Sequence, residues 1–218
     1  MIFKNIYTVH MKTVPSKQYI KIYSLLLFLF ISIHSLASES DWMQYGGDEG
    51  GGRYSTLSQI NRDNVGQLEV AWKYKTGHLD RVPEKLSFLK KMVGFQVTPI
   101  MLPNDVGGLL ILCTPFNEII ALDSINGTKK WSYDPKIDLR PFAGRFSCRG
   151  LAQWRNPNLQ LTEICAHSLF LATNDKRLIA VDAKTGTPCP TFGDNGVVDV
   201  TPIIKNMEPT NQIRAMQL

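Results

Sequence analysis

The chain carries one stretch twice. Residues 110–131, LILCTPFNEIIALDSINGTKKW, lie without a gap on residues 169–190, LFLATNDKRLIAVDAKTGTPCP, after a shift of 59 positions. Between 110 and 128 eight of nineteen positions coincide: Leu, Leu, Thr, Ile, Ala, Asp, Gly and Thr. Each copy has two short apolar runs separated by a turn, and strand units that recur at such a period build stacked or ring-shaped architectures, most often propellers. That periodicity predicts an all-β fold made of blades.

The conserved pattern of the unit has a physical reading. In Ala121-x-Asp123-x-x-x-Gly127-x-x-x-Trp131 a small residue stands where the strand packs tightly. The Asp carboxylate can accept from amides of the turn that follows, and Gly127 can adopt the left-handed conformation that closes it. Trp131 is expected to open the outer strand and bury a large ring between neighbouring blades. Ala180-x-Asp182-x-x-x-Gly186 repeats the pattern, with Pro190 in place of the tryptophan and Phe192 available to compensate. Trp72-x-Tyr74 echoes Trp131-x-Tyr133 and reads as the end of an earlier copy. These positions are structural and carry no chemistry.

The chain has 218 residues, 44% hydrophobic and 20% charged, a globular composition. Its formal charge of +5 would suggest an anionic partner, but Lys4, Lys12, Lys17 and Lys21 all precede residue 38, where Asp and Glu are absent. Without them 20 basic residues face 19 acidic ones (24 − 4 against 19), so nothing supports nucleic-acid binding. The basic segment precedes the apolar run 22–33, IYSLLLFLFISI, and Ser35-Leu36-Ala37 supplies small residues where a signal peptidase reads. Residues 1–37 are therefore expected to be a secretory signal peptide or, if uncleaved, an N-terminal membrane anchor over residues 20–36. Either way residues 38–218 are expected to be exported, periplasmic or held at the inner membrane. Export makes Cys113, Cys148, Cys165 and Cys189 disulfide candidates, with three complete pairings open. Cys148 and Cys165 flank a polar excursion and form the preferred pair; Cys113 reads as a core residue. No C-x-x-C is present, which leaves little support for zinc or haem.

Along the rest of the chain, the glycine-rich segment 46–52 beside Trp42, Tyr45 and Tyr54 reads as a turn-rich surface, with no strand before it and no Gly-Lys-Ser/Thr to make it a phosphate loop. Residues 58–65 form a short helix or turn. Leu68, Val70, Trp72 and Tyr74 alternate as on a half-buried strand. Residues 75–95 are expected to be a Lys-rich loop, residues 96–101 a strand, and Pro103 to Gly108 the turn of a hairpin into a strand over 109–113. Between the copies, residues 140–163 depart from the repeat. Phe142 to Trp154, FAGRFSCRGLAQW, is too apolar for a plain surface loop and gathers Arg145, Cys148, Arg149 and Trp154. Loops on a rigid scaffold commonly carry the site; an arginine paired with an acid between blades is the structural alternative.

The motifs WMQYGGDEGGGRYSTLSQINRDNV, LEVAWKYKTG, FQVTPI, LCTP, SCRGLAQW and LATNDKRLIAVDAKTG, in this order over residues 41 to about 204, resemble the pyrroloquinoline quinone (PQQ)-dependent dehydrogenases, in the glucose and quinate (shikimate) branch. SCRGLAQW after FQVTPI is the specific part, since propellers without enzymatic activity share the tryptophan unit. The resemblance implies an eight-bladed propeller with tryptophan-docking motifs, of which roughly three repeat units are present here. It implies a flat cofactor near the propeller axis, with Arg149 of Cys148-Arg149-Gly150 as a contact; a guanidinium suits a planar polyanion. Gln96 stands at a position near the cofactor that is often Glu in relatives. Trp154 stands where the membrane-bound glucose enzymes have a cofactor-contacting histidine. The adjacent-cysteine disulfide of the alcohol-oxidising branches is absent.

The resemblance further implies calcium as Lewis acid, an aspartate base, a sugar or polyol substrate and a membrane quinone as electron acceptor. The metal ligands and the catalytic Asp are expected in later blades, so no catalytic or metal-binding residue is named. An N-terminal fragment of an enzyme is the leading expectation, without dehydrogenase activity by itself; quinate or a related polyol is slightly preferred over glucose. An exported propeller scaffold without cofactor and an inactive truncated product are the competing readings. The arginine and polar residues near the axis favour the enzyme over the scaffold.

Overall fold

The computed structural model describes residues 42–48, 50–139 and 145–205. The expected leader and anchor at 1–37, and Phe142, Ala143 and Gly144 of the excursion, lie outside them. Among the described residues ten strands form two four-stranded sheets and one two-stranded ladder. The first sheet is the meander β2 (Ile100–Met101), β3 (Leu109–Cys113), β4 (Ile119–Asp123) and β5 (Lys129–Tyr133). The second is β7 (Ala152–Arg155), β8 (His167–Ala172), β9 (Arg177–Asp182) and β10 (Val197–Asp199). Every neighbouring pair in both is antiparallel, the architecture of a propeller blade. β1 (Val93–Phe95) and β6 (Phe146–Cys148) stand apart as a parallel pair. A short helix, Thr201–Lys205, follows.

The sequence repeat is a repeat of hydrogen bonds. Thr114 N–H donates to the Glu118 carbonyl at 2.8 Å, as Thr173 N–H does to Arg177, and both threonine hydroxyls accept from the amide four residues on. Asn117 and Lys176, 59 apart, both hold positive φ (61° and 68°) in these turns. Asp123 Oδ1 accepts from the amides of Ile125 and Asn126, and Asp182 Oδ1 from those of Lys184 and Thr185. Gly127 and Gly186 (φ 71° and 74°) close the second turn, each donating to the carbonyl of its Asp. The carboxylate and the glycine therefore act as expected.

The sheets bury their facing sides against each other. Ile111, Cys113, Ile119 and Ala121 of the first sheet share a core with Leu169, Leu171, Ile179 and Val181 of the second. The first sheet's opposite face, Leu112, Ile120 and Leu122, is covered by Trp72 and Tyr74. Two tryptophan rings lie against turn glycines. The Trp72 ring passes 2.4 Å from where a Cβ on Gly127 would stand, and Trp131 passes 2.4 Å from the corresponding point on Gly186. Trp72 Nε1 also donates to the Ser124 carbonyl at 3.3 Å. Trp131 sits in the middle of β5, not at its start. At the Pro190 copy, Phe192 packs edge-on against Phe170 with centroids 5.4 Å apart.

The turns at one end of the two sheets are tied together. Asn117 Oδ1 accepts from the Asn174 amide, and the Asn174 side chain donates to the Pro115 carbonyl. Arg177 Nη2 donates to the Pro135 carbonyl at 2.8 Å and Asp175 Oδ2 accepts from the Asp138 amide at 3.1 Å. The segment that leaves β5 is thus clamped on the turn between β8 and β9.

Four expectations are corrected. Residues 68–74 form no strand: Trp72 and Tyr74 turn inward, but Leu68 and Val70 are exposed, and no described segment offers a ladder to them. The expected loop at 75–95 contains 3₁₀ turns at His78–Arg81 and Glu84–Met92, the latter burying Leu89, and then β1. The strand expected over 96–101 is only Ile100–Met101: Pro99 has no N–H to donate, and the Thr98 N–H goes to the Arg149 carbonyl at 2.7 Å. The preferred cysteine pair is also wrong. Cys113 joins Cys148 and Cys165 joins Cys189, with Cα separations of 6.0 and 5.7 Å. Cys113 is a core residue as expected, yet its position at the end of β3 meets β6, while Cys165 turns back into the second sheet. Loops closed over 35 and 24 residues contribute about 3–4 kcal/mol each in the chain-entropy account.

Candidate functional site

Gln96 and Arg149 are brought together by β1 and β6. The parallel register pairs Val93 with Phe146, Gly94 with Ser147 and Phe95 with Cys148, so Gln96 and Arg149 are the next residues on each side. The Thr98–Arg149 backbone bond holds the two segments just beyond that pair. Both side chains are exposed, and Phe95, beside Gln96, presents an exposed ring. Gly150 lies under the Thr98 carbonyl, 3.7 Å from where its Cβ would be. Each segment feeds an edge strand: Gln96 precedes β2 and Arg149 precedes β7.

Trp154, the third sequence-derived site residue, lies on β7 opposite Ser168 with half of its surface exposed. It points out of the core on an edge strand, five residues beyond Arg149. Its neighbour Gln153 points the other way into a polar relay. Gln153 Nε2 donates to the Met43 carbonyl at 2.8 Å, and its Oε1 accepts from Nε2 of the buried His167 at 2.5 Å. That bond sets the Nε2–H tautomer, which leaves His167 Nδ1 buried without a partner. Arg155, paired with Asp105 at 2.8 Å, adds positive charge nearby.

Burial first, and then the charge of Arg155, hold His167 below the usual imidazole range, against smaller opposing effects of Asp105 and Asp182. A folded state with a depressed imidazole binds fewer protons than the unfolded chain, so stability is fully present above about pH 6.5 and is lost as pH falls below it. Urea unfolding at pH 7.5 and 5.5 should show this loss. His167→Gln should reduce it, leaving the part due to His78, whose imidazole is also lowered by burial. Equal losses in both proteins would contradict the assignment.

A pocket of about 480 Å³ opens at the end of the first sheet that holds the 114–118 turn. Its wall includes His78, Arg81, Phe116, Glu118, Asp134 and Lys136. Arg81 Nη2 donates to Glu118 Oε1 at 3.0 Å and Nη1 lies 2.7 Å from Oε2, while the Glu118 side chain is almost wholly buried. The sequence reading missed this pair. Its only signal was that Glu118 and Arg177 occupy one repeat position with opposite charge. A second pocket of about 400 Å³ lies between the glycine-rich turn and the start of β7, lined by Tyr45, Asp48, Arg53, Leu151 and Gln153. Gln96, Arg149 and Trp154 line neither. Among the described residues no group of three or more His, Cys, Asp or Glu side chains is placed to hold a metal ion.

Two stacked antiparallel four-stranded meanders have the architecture of β-propeller blades. Residues 42–216 match the family "PQQ: Glucose/ethanol/alcohol dehydrogenase, beta-propeller domain", and the chain belongs to it. It is 33% identical to a quinoprotein glucose dehydrogenase of Escherichia coli K12, over 80% of this chain and 21% of that protein. It is 32% identical to a quinate/shikimate dehydrogenase (quinone) of Acinetobacter baylyi, over 78% of this chain and 21% of that one. Among solved structures it resembles a quinohemoprotein alcohol dehydrogenase from Comamonas testosteroni, with a TM-score of 0.50 and 28% identity, covering 72% of this chain and 20% of that one. The chain therefore spans about a fifth of the length of the relatives it matches.

Proposed function

We propose that this chain contributes the first blades of an exported PQQ-dependent dehydrogenase and that Gln96, Arg149 and Trp154 form its part of the cofactor site. In this reading the Trp72–Gly127 and Trp131–Gly186 contacts are docking contacts between successive blades of an eight-bladed ring, with roughly three repeat units in these residues. The substrate is a sugar or polyol, with glucose, quinate and shikimate as the candidates. A membrane quinone takes the electrons.

One observation carries the assignment: the β1–β6 pairing sets an arginine and a glutamine side by side, both exposed, where two edge strands begin. The donor set fits the ligand. PQQ is planar and bears several carboxylates, and a guanidinium can bind such a group through paired hydrogen bonds. Gln96 can donate from its amide nitrogen or accept at its oxygen, and carries no charge to repel an anion. The exposed rings of Phe95 and Trp154 offer apolar surface to a flat ligand. When bound, PQQ supplies a two-electron oxidant for the alcohol carbon. Calcium belongs to this proposal as well, through acidic ligands that are not grouped among the described residues.

The reading predicts binding without turnover. The purified chain with PQQ and calcium should bind cofactor yet show no dye-linked oxidation of glucose, quinate or shikimate above background. Turnover would contradict the view that the chain depends on further blades. Absence of PQQ binding would favour the scaffold reading.

A further inference from the structure

The two disulfides differ in what they hold. Cys165 and Cys189 both pack beside Ala180 in the second sheet, in a region already fixed by the β8–β9 ladder and by the bond from the Cys165 amide to Asp182. Cys148 belongs to neither four-stranded sheet. It ends β6, a strand of three residues whose one described ladder partner is the equally short β1. An isolated two-stranded parallel ladder of this length is marginal. Phe146, at the other end of β6, packs with Val82 and Leu89 in a small separate cluster. Cys113 lies at the end of β3 in the main core, where the buried Cys148 side chain also packs. The Cys113–Cys148 bond therefore ties the β1–β6 ladder covalently to the first sheet, one residue before Arg149.

We propose that the Cys113–Cys148 disulfide is a positioning element for Arg149 and Gln96, and that it sets cofactor affinity through them. The proposal rests on the reading of Arg149 as a cofactor contact. The disulfide touches the main chain of the site and has no direct contact role. It anchors Cys148, which is one peptide unit, about 3.8 Å between Cα atoms, from Arg149. The Thr98–Arg149 backbone bond then sets the second side of the junction. Preorganised side chains bind more tightly because less ordering remains to be done on binding.

The test compares two double variants, Cys113→Ala/Cys148→Ala and Cys165→Ala/Cys189→Ala, in the full chain. Two quantities are read: hydrogen exchange of the Thr98 amide, and PQQ affinity from quenching of tryptophan fluorescence. Loss of the first disulfide should speed Thr98 exchange and weaken PQQ binding, each by about tenfold or more. Loss of the second should change neither, although both lower the urea midpoint. In a Gln96→Ala/Arg149→Ala background, removing Cys113–Cys148 should have no further effect on affinity, since the bond acts through those two residues. A purely structural role would give an added loss there and would overturn the proposal, as would unchanged Thr98 exchange. If the unaltered chain binds no PQQ, the cofactor reading fails by itself, and Thr98 exchange still decides the positioning claim. Should the alanine pair not fold, Cys113→Val/Cys148→Ala keeps more of the buried volume. If neither folds while the Cys165/Cys189 variant does, the bond is needed for the fold at large and the proposal is overturned.

Discussion

Gly186→Ala is expected to destabilise the chain by about 3 kcal/mol. Two costs combine. Gly186 holds φ at +74°, a conformation that costs a residue with a Cβ about 1 kcal/mol or more. The new methyl would also stand 2.4 Å from the Trp131 ring, so the ring or the turn must move. Overpacking of this kind typically costs about 1–3 kcal/mol. Gly51 separates the terms. It has a similar φ of +68° and open space where its Cβ would be, so Gly51→Ala should show the backbone cost alone. Urea unfolding of the two variants should differ by about 2 kcal/mol. Equal losses would mean that Trp131 does not rest on the Gly186 turn.

Arg149→Ala is expected to weaken PQQ binding by about 10- to 100-fold, with little change in the urea midpoint. The side chain is exposed and its removal leaves no buried charge unpaired. The loss is that of hydrogen bonds to an ionised ligand, about 1.5–3 kcal/mol. Arg149→Lys should recover only part of the affinity, because an ammonium keeps the charge without the planar fork. Trp154→Ala should cost less, as its contribution is apolar contact from a half-exposed ring. A midpoint that falls as far as the affinity would return Arg149 to a structural role.

The blades were legible in the sequence because their determinants are local. The repeat fixed the turns at Thr114 and Thr173, and the Asp and Gly positions fixed the next turns. Nothing local indicated that Cys113 would meet Cys148, since that meeting depends on where β6 lies, and β6 is outside the repeat. The parallel ladder was hidden for the same reason. Val93 to Phe95 resemble loop until they meet residues 146–148 across more than fifty positions. At 68–74 the expected inward face holds only for Trp72 and Tyr74, with Leu68 and Val70 exposed, and no strand forms, because period alone cannot supply a hydrogen-bonding neighbour. Arg149 and Gln96 were found through family motifs, and only the register of β1 and β6 showed that they are adjacent. The Arg81–Glu118 pair left almost no trace in the sequence.

A titration of the purified chain with PQQ, followed by tryptophan fluorescence, tests the central claim most directly. The account predicts saturable quenching that Arg149→Ala weakens at least tenfold at the same protein stability. No saturable quenching, or quenching equal in the two proteins, would contradict the assignment of the cofactor site to the junction of Gln96 and Arg149.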